Sequence, residues 1–439
     1  MPDLEAVTDW AGELRVLGSR IGTRFERAEP RQRALAYLKG LMSDVPRKNG
    51  WQLAEQAGEL TPDGMQRLLS TAVWDVEGVR DDLRAYVVEH LGHPEGVLVI
   101  DESGFIKKGD KSVGVKRQYS GTAGKVENCQ IGVFVGYASE AGHALIDRAL
   151  YLPEEWASDP ARRAEAKVPE EVTFATKPEL ARQMLERAFT AGVPCRWVTG
   201  DSVYGGDRRL RLWLEEHRHW FVLGVAKDEP LWGGFKQHRA DAWAAAWPDD
   251  GWQRLSCGEG AKGPRLYDWA LIPLPRWGQA PDTMHALLVR RSLTDGEMAY
   301  FVVFAPVGTP LQTLIRVAGM RWTIEECFET GKEEVGLDDY EVRHWPGWYR
   351  HITLSMLALA FLTVTRQQAV QAEGSKKQAA SIGLSDRADS GRNSALAISA
   401  GLESASTRRV YLAWSIWRRR HQARAKACHH RRRQIRWFA

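Results

Sequence analysis

The stretch GVLVIDESG, residues 96–104, decides how the first half of the chain is organised. Its unbroken aliphatic run is typical of a buried strand, and the run ends at Asp101. Upstream, residues 1–94 carry apolar residues at helical spacing, and this texture changes only after His93 and Pro94. The sequence therefore predicts a helical N-terminal domain over 1–94, followed by a sheet whose first strand ends in an acid.

The order of the following segments predicts a mixed sheet with helices packed on it, over residues 95–227. Two strand-like runs, a helix, a strand that ends at Asp201, a second helix and a last strand follow one another: ENCQIGVFVGY, HALIDRALYLP, PELARQMLERAFTAG, CRWVTGD, GDRRLRLWLEEHRHW and FVLGVA. In a ribonuclease-H-like sheet of this order, strands one and four are neighbours. We therefore expect Asp101 and Asp201 to face each other at the rim of the sheet, where sites form in α/β proteins.

The rest of the chain divides by composition. Residues 228–296 are rich in Gly, Pro and Trp with short strands, which predicts a β-rich insertion. Residues 297–370 predict the second part of the core, with one long helix over PLQTLIRVAGMRWTIEECFETGKEEVGL and another after it. Residues 371–439 predict a flexible linker and a basic tail. The predicted class is thus α/β with a β-rich insertion, a helical N-terminal domain and a basic C-terminal tail.

Charge and cysteine usage limit the class of protein. The net charge is only +4, yet the last 26 residues, from Trp414 on, contain nine Arg or Lys and no acid. Such a tail on a near-neutral body favours a polyanionic partner, although a solubilising tail is the alternative. The five cysteines are scattered without a CxxC pair, and neither a signal peptide nor a membrane span is recognisable. We expect a reduced cytoplasmic protein without a membrane association.

The stretch RWTIEECFETGKEEVG, residues 321–336, contains five glutamates and predicts the third acid of a site. Taken singly, Asp101 and Asp201 are better explained as turn or cap residues. Taken together with a Glu-rich helix, they predict a cluster of hard oxygen ligands that suits Mg²⁺ or Mn²⁺. Two such ions about 4 Å apart serve phosphodiester chemistry.

Three motifs carry a family resemblance. IDESGFIKKG, VTGDSVYGG and RWTIEECFETGK resemble the signature blocks of bacterial insertion-sequence DDE transposases, closest to the insertion sequence 701 family and related to the group with a Tyr-Arg-Glu-Lys signature. The resemblance implies a ribonuclease-H-like core and catalysis with two Mg²⁺ or Mn²⁺ ions. It implies Asp101, Asp201 and Glu325 as the catalytic metal ligands.

The spacing of the family signature selects among the glutamates. Arg321, Glu325 and Lys332 satisfy its count of Arg, three residues, Glu, six residues, Lys, and they share one face of a helix. Glu329 lies one turn from Glu325 and remains the rival. The departure is Ala318, which stands where the signature has Tyr, so the sequence does not predict whether a hairpin intermediate forms.

The resemblance also implies the partners. Cleavage of the element's ends and their transfer to target DNA require double-stranded DNA, and two ends require two active sites, which predicts a homodimer on DNA in the nucleoid. The predicted DNA-binding residues are Arg321, Lys332, Lys107, Lys108, Arg418, Arg419, Arg420, Arg431, Arg432 and Arg433. Trp252, Trp269 and Trp277 are candidates for holding a flipped base, with core packing as the alternative. A non-catalytic DNA-binding protein derived from a transposase, or a metal-dependent nuclease without strand transfer, are the alternative functions.

Overall fold

The N-terminal region is helical in the computed structural model, which describes residues 4–121, 123–260 and 263–379. Asn49 and Asp75 begin two of the helices by accepting hydrogen bonds from backbone N–H groups of the first turn. The helices are α1 (Leu4–Gly22), α2 (Ala28–Leu41), α3 (Gly50–Gln56), α4 (Asp63–Ser70) and α5 (Val76–Leu91). They occupy the range in which the sequence predicts helices.

Strands and short helices alternate over the next part of the chain. They are β1 (Val97–Ile106), β2 (Lys116–Ser120), β3 (Lys125–Ser139), β4 (Gly142–Leu150), α6 (Glu154–Ala157), α7 (Pro160–Glu165), α8 (Lys177–Thr190), β5 (Trp197–Gly200), α9 (Ser202–Gly205), α10 (Arg208–Glu216) and β6 (Trp220–Val225). The first four residues of β1 are almost fully buried, as expected for a strand covered on both faces.

The remaining strands and helices complete the described chain. They are β7 (Pro230–Gly233), β8 (Lys236–Arg239), α11 (Ala240–Ala245), β9 (Gln253–Gly260), β10 (Gly263–Pro273), β11 (Thr283–Arg291), β12 (Met298–Pro306), α12 (Leu311–Met320), α13 (Trp322–Val335) and α14 (Trp345–Ala379). No helix among the described residues is both long and apolar enough to span a membrane.

One large mixed sheet organises the molecule. Among the described residues it has ten strands in the order β2-β3-β1-β5-β6-β12-β11-β10-β9, with β4 also paired to β3. Strands β1, β5 and β6 run parallel, whereas β3 and β12 are antiparallel to their neighbours. Strands β9, β10 and β11 of the Trp-rich segment extend this sheet, and only β7 and β8 form a separate ribbon.

Helices cover both faces of the sheet, and β1 shows which helix lies on which face. Asp101 and Phe105 point toward α13 and α14, since they approach Arg321 and Trp348. Glu102, between them in the strand, points the other way and bonds to Lys177 at the start of α8. Alternate side chains of one strand therefore meet different helices.

Three expectations about element boundaries need correction. Asp101 does not end its strand, because β1 continues to Ile106 in antiparallel pairing with β3. The long helix expected after residue 309 is two helices, α12 and α13, which meet at Arg321. Helix α14 runs to Ala379, whereas the sequence predicts a linker from residue 371. The helix packs against β4, α5 and α2 and continues into the predicted linker.

Candidate active site

Asp101 and Asp201 are brought together by the register of two parallel strands. Ile100 of β1 pairs with Gly200 of β5, and this is the last pair between the two strands. The two aspartates are the next residue of each strand, so their positions are adjacent although β1 itself continues. Asp201 also caps α9, accepting a hydrogen bond from the backbone N–H of Val203 at 2.9 Å. The cap role and the paired placement are thus both present.

The two carboxylates destabilise each other's charge. Burial, and then the nearby Asp201, raise the pKa of Asp101 to about 8. The pKa of Asp201 is also raised, first by burial and then by Glu102. Two half-buried acids beside each other are a site where a cation would be stabilised.

Glu102 belongs to this acidic group and was not singled out from the sequence. It accepts hydrogen bonds from the Tyr204 hydroxyl at 2.6 Å and from the Lys177 ammonium at 2.7 Å. Tyr204 lies in the loop and short helix after Asp201, so the bond ties that loop to β1. The sequence signals for Glu102 are its position directly after Asp101 in IDESGFIKKG and the presence of Tyr204 in GDSVYGG, which is also typical of an ordinary turn.

Arg321 connects the third predicted acid to the aspartates. Its Nη1 atom lies 2.8 Å from Glu325 Oε1 and 3.8 Å from Asp101 Oδ2. The break between α12 and α13 places Arg321 over the carboxyl end of β5. The structure therefore joins Asp101, Arg321 and Glu325 in one chain of charges.

The face of α13 follows the helical spacing. Ile324, Phe328 and Val335 are buried, and Glu325 lies beside this stripe with a side chain that is 54% exposed. Glu329 is exposed one turn further on. Lys332 turns inward, where its ammonium donates to the carbonyl of Gly104 at 3.3 Å.

The predicted basic residues differ in where they lie. The Lys107 ammonium donates to the Tyr340 carbonyl at 3.0 Å and lies 3.4 Å from the centre of that ring, and burial lowers its pKa to about 8. Lys108 is exposed. The predicted arginines of the tail lie outside the described residues: Arg418, Arg419, Arg420, Arg431, Arg432 and Arg433.

The tryptophan candidates have three different environments. Trp269 is buried in the core, and Trp252 packs under Arg291 with a ring distance of 4.2 Å. Trp277 is 88% exposed and lies beside Phe235. It follows the end of β10, near the edge of the sheet opposite Asp201. None of these placements brings an exposed Trp ring next to the aspartates.

A cleft of about 460 Å³ opens beside the acid pair. Asp201 and Arg321 form one side of it, and Ala318 of α12 lies in its wall. Tyr300 of β12 lines the same cleft, with its hydroxyl 3.5 Å from Met298 Sδ.

The donor chemistry fits a divalent cation at the aspartates. Among the residues that the structure describes, no three or more His, Cys, Asp or Glu side chains are arranged as a metal-holding group. Asp101 and Asp201 nevertheless place two half-buried carboxylates side by side, and carboxylate oxygens are donors that suit a divalent cation. Arg321 links Glu325 to the same pair, which places a third carboxylate one side chain away.

Comparison with known proteins gives three similarities. Residues 20–247 match the model of a family described as DDE superfamily endonuclease. The probable transposase for insertion sequence element IS701 from Microchaete diplosiphon is 31% identical over 322 residues, which are 71% of this chain and 77% of that protein. The piggyBac transposase, in a cryo-EM structure of its synaptic complex with hairpin DNA, matches with a TM-score of 0.42 and 12% identity over 93% of this chain and 81% of that chain.

Proposed function

The chain is a DDE transposase of the insertion sequence 701 family, and from that premise we propose that it cleaves the ends of its own element and joins them to target DNA. Water attacks the phosphodiester at the element's end, and the freed 3′-hydroxyl then attacks a phosphodiester of the target. The observation that carries this proposal is the acid pair Asp101 and Asp201, placed side by side by strand register and linked through Arg321 to Glu325.

The sheet order supports a ribonuclease-H-like core. Strands β4, β3, β1, β5 and β6 follow one another, with β3 antiparallel to β1 and the last three strands parallel. We propose that residues 95–227 and 297–370 form this core, that 228–296 is inserted in it, and that 1–94 is a DNA-binding domain. The proposed basic tail follows the end of α14 at Ala379 and lies outside the described residues. The β-rich insertion then extends the catalytic sheet on the side of β12.

The acids are the proposed ligands of two Mg²⁺ or Mn²⁺ ions. When bound at Asp101, Asp201 and Glu325, the ions would supply Lewis-acid activation of the attacking and leaving oxygens. The chain's own contribution is to hold Asp101 and Asp201 adjacent on a rigid sheet, with Glu102 and Tyr204 fixing the loop that follows Asp201. A site built on strands keeps its geometry better than one built on loops.

Cations around the acids are proposed to hold the DNA backbone. Arg321 lies within the cleft and Lys108 is exposed, so both are placed to contact phosphates. Lys332 and Lys107 are bonded to the carbonyls of Gly104 and Tyr340, and they would reach DNA by exchanging these bonds. The helical N-terminal region and the tail would bind element ends or target, as a homodimer that brings two sites to two ends on the nucleoid.

The proposal is tested by cleavage of a duplex that carries the DNA flanking the gene. The wild-type chain is expected to cleave it with Mg²⁺ and to join the product to a second duplex. Asp101→Asn and Asp201→Asn are expected to reduce cleavage by roughly a thousandfold, since bound metal ions contribute several kcal/mol to such reactions. Binding of the duplex, measured by fluorescence anisotropy, is expected to persist in both variants.

The matched control is Asp110→Asn, an exposed aspartate beyond the end of β1, which is expected to cleave normally. Cleavage without joining would support a nuclease rather than a transposase. Full cleavage by Asp101→Asn and Asp201→Asn would contradict the proposed site.

A further inference from the structure

Arg290 of β11 reaches the cleft that contains Asp201, although it comes from the Trp-rich segment. It pairs with Ala299 of β12, whose next residue Tyr300 pairs with Val225 of β6. Gly224 precedes Val225 in β6 and lies next to Asp201. A Cβ atom at Gly224 would be only 3.4 Å from the Asp201 Cα atom. Arg290 lines the same cleft as Asp201 and Arg321.

The charge of Arg290 is not neutralised within the described part of the chain. Its guanidinium carbon lies 4.6 Å from the centre of the Tyr267 ring and 5.6 Å from that of Trp322, and its Nε atom is buried without a hydrogen-bond partner. No described carboxylate forms an ion pair with it. A guanidinium stays charged at any physiological pH, so it lies against aromatic faces with its charge uncompensated.

Arg265 of β10 has a similar environment beside the same Trp322 ring. Its guanidinium carbon lies 5.0 Å from the ring centre, and its Nε atom is also buried without a hydrogen-bond partner. Among the described residues it too has no ion pair with a carboxylate. Two arginines without a described carboxylate partner thus lie beside Trp322, the first residue of α13.

Neighbouring arginines on the same strands behave differently. Arg291, the next residue of β11, bonds to Asp268 at 3.3 Å, and Arg254 of β9 bonds to the same carboxylate at 3.0 Å. Arg291 and Arg290 point to opposite faces of the strand. Arg290 thus has no carboxylate partner among the described residues, although the adjacent arginine of the same strand has one.

We propose that Arg290, supported by Arg265, binds a phosphate of the DNA backbone. This phosphate is adjacent to the phosphodiester that is cleaved. This rests on the proposed function and extends it to positioning residues in the β-rich segment. Uncompensated guanidinium groups in a cleft select a phosphate, because the planar fork donates two hydrogen bonds to its oxygens. The cleft also contains Lys227 and Arg321, and its volume of about 460 Å³ accommodates a segment of nucleotide size.

The test replaces single phosphates of the flanking duplex by neutral methylphosphonates and measures binding of the full-length chain. For the wild type, one or two adjacent substitutions near the cleavage position are expected to weaken binding roughly tenfold, the effect of one lost charge-assisted bond. Arg290→Gln is expected to bind the unmodified duplex roughly tenfold more weakly and to be insensitive to those same substitutions. Its dependence of log K on log salt should also be shallower by about one unit.

Arg291→Gln is the matched control, because it changes the adjacent arginine on the opposite face, and it is expected to keep the wild-type sensitivity at every position. If Arg290→Gln does not fold, as judged by circular dichroism, Arg290→Lys keeps the charge and loses the fork, and it should be less sensitive than the wild type at the same phosphates. Equal sensitivity of the wild type and the Arg290 variant at every phosphate would overturn the proposal. The proposal about Arg290 is tested by binding, whereas the proposed function is tested by cleavage. A failure of one test can therefore be told apart from a failure of the other.

Discussion

His351 makes the stability of the protein depend on pH in a predictable direction. It is fully buried, its Nδ1 atom accepts from the Tyr37 hydroxyl at 2.7 Å, and its Nε2 atom donates to the Gly336 carbonyl at 3.0 Å. The ring thereby connects α2 to the end of α13. Burial lowers its pKa from 6.5 to about 3, so the folded protein holds a neutral imidazole.

The magnitude follows from this difference in pKa. Below pH 6.5 the unfolded chain binds a proton at His351 that the folded chain does not, so acid favours unfolding. The stability that neutral His351 contributes is fully present above pH 6.5 and is lost as the pH falls toward 3. The loss is about 1.4 kcal/mol per pH unit, which amounts to about 2 kcal/mol between pH 6.5 and pH 5.

Urea unfolding at pH 7.5 and pH 5 measures this contribution. Carboxylates titrate in the same window, so the quantity to compare is the loss of unfolding free energy in each variant. Between pH 7.5 and pH 5, the unfolding free energy of His351→Gln is expected to fall by about 2 kcal/mol less than that of the wild type. His238→Gln, at an exposed histidine of β8, is expected to lose as much as the wild type. An equal loss in His351→Gln and the wild type would refute the reasoning.

Two further substitutions, Gly205→Ala and Arg148→Met, each have a control variant. They test the packing that places the acids and the packing that joins the N-terminal helices to the sheet. A side chain at Gly205, just after Asp201, would meet the carbonyl oxygen of Gly224 at 1.8 Å, so Gly205→Ala is expected to cost about 3 kcal/mol of unfolding free energy. Gly12→Ala in α1, which meets only the Arg15 guanidinium at 4.0 Å, should instead stabilise by about 1 kcal/mol in the same urea titration. Arg148 is 1% exposed and bonds to Glu77 and to Thr353, so Arg148→Met is expected to cost about 3 kcal/mol by breaking a buried ion-pair network, in which Asp147 keeps Arg187 and Arg80 as partners. Arg254→Met, which breaks an exposed pair, should cost less than about 1 kcal/mol, and similar losses in the two arginine variants would contradict the assignment.

Local patterns predict the elements of this chain better than their ends. The aliphatic run at 97–100 identifies β1 and predicts that the strand ends at Asp101. Only the pairing with β3 extends the strand to Ile106. The residue at the junction of α12 and α13 is Arg321, not a glycine or a proline, so its residue type does not predict the break. A side chain at Gly319 would meet the Cys257 carbonyl at 2.3 Å, which shows how closely α12 packs on β9 near this break.

The candidate site divides in the same way. Motif spacing selects Asp101, Asp201 and Glu325, because each lies inside a short local pattern. Glu102 lies inside the motif IDESGFIKKG but is not selected by it, since its bond to Tyr204 is formed only in the fold, and Arg290 lies in no motif and reaches the cleft only through the sheet. Residues that meet only through the sheet are therefore found by the structure alone.

The choice of Glu325 over Glu329 is the most direct test of the central claim. The measurement is Mg²⁺-dependent cleavage of the flanking-DNA duplex by Glu325→Gln and Glu329→Gln, with Glu326→Gln, whose carboxylate lies 3.4 Å from His143, as control. Glu325→Gln is expected to abolish cleavage while binding persists, and the other two variants are expected to cleave. Full cleavage by Glu325→Gln together with loss in Glu329→Gln would contradict the account and move the third acid one helical turn.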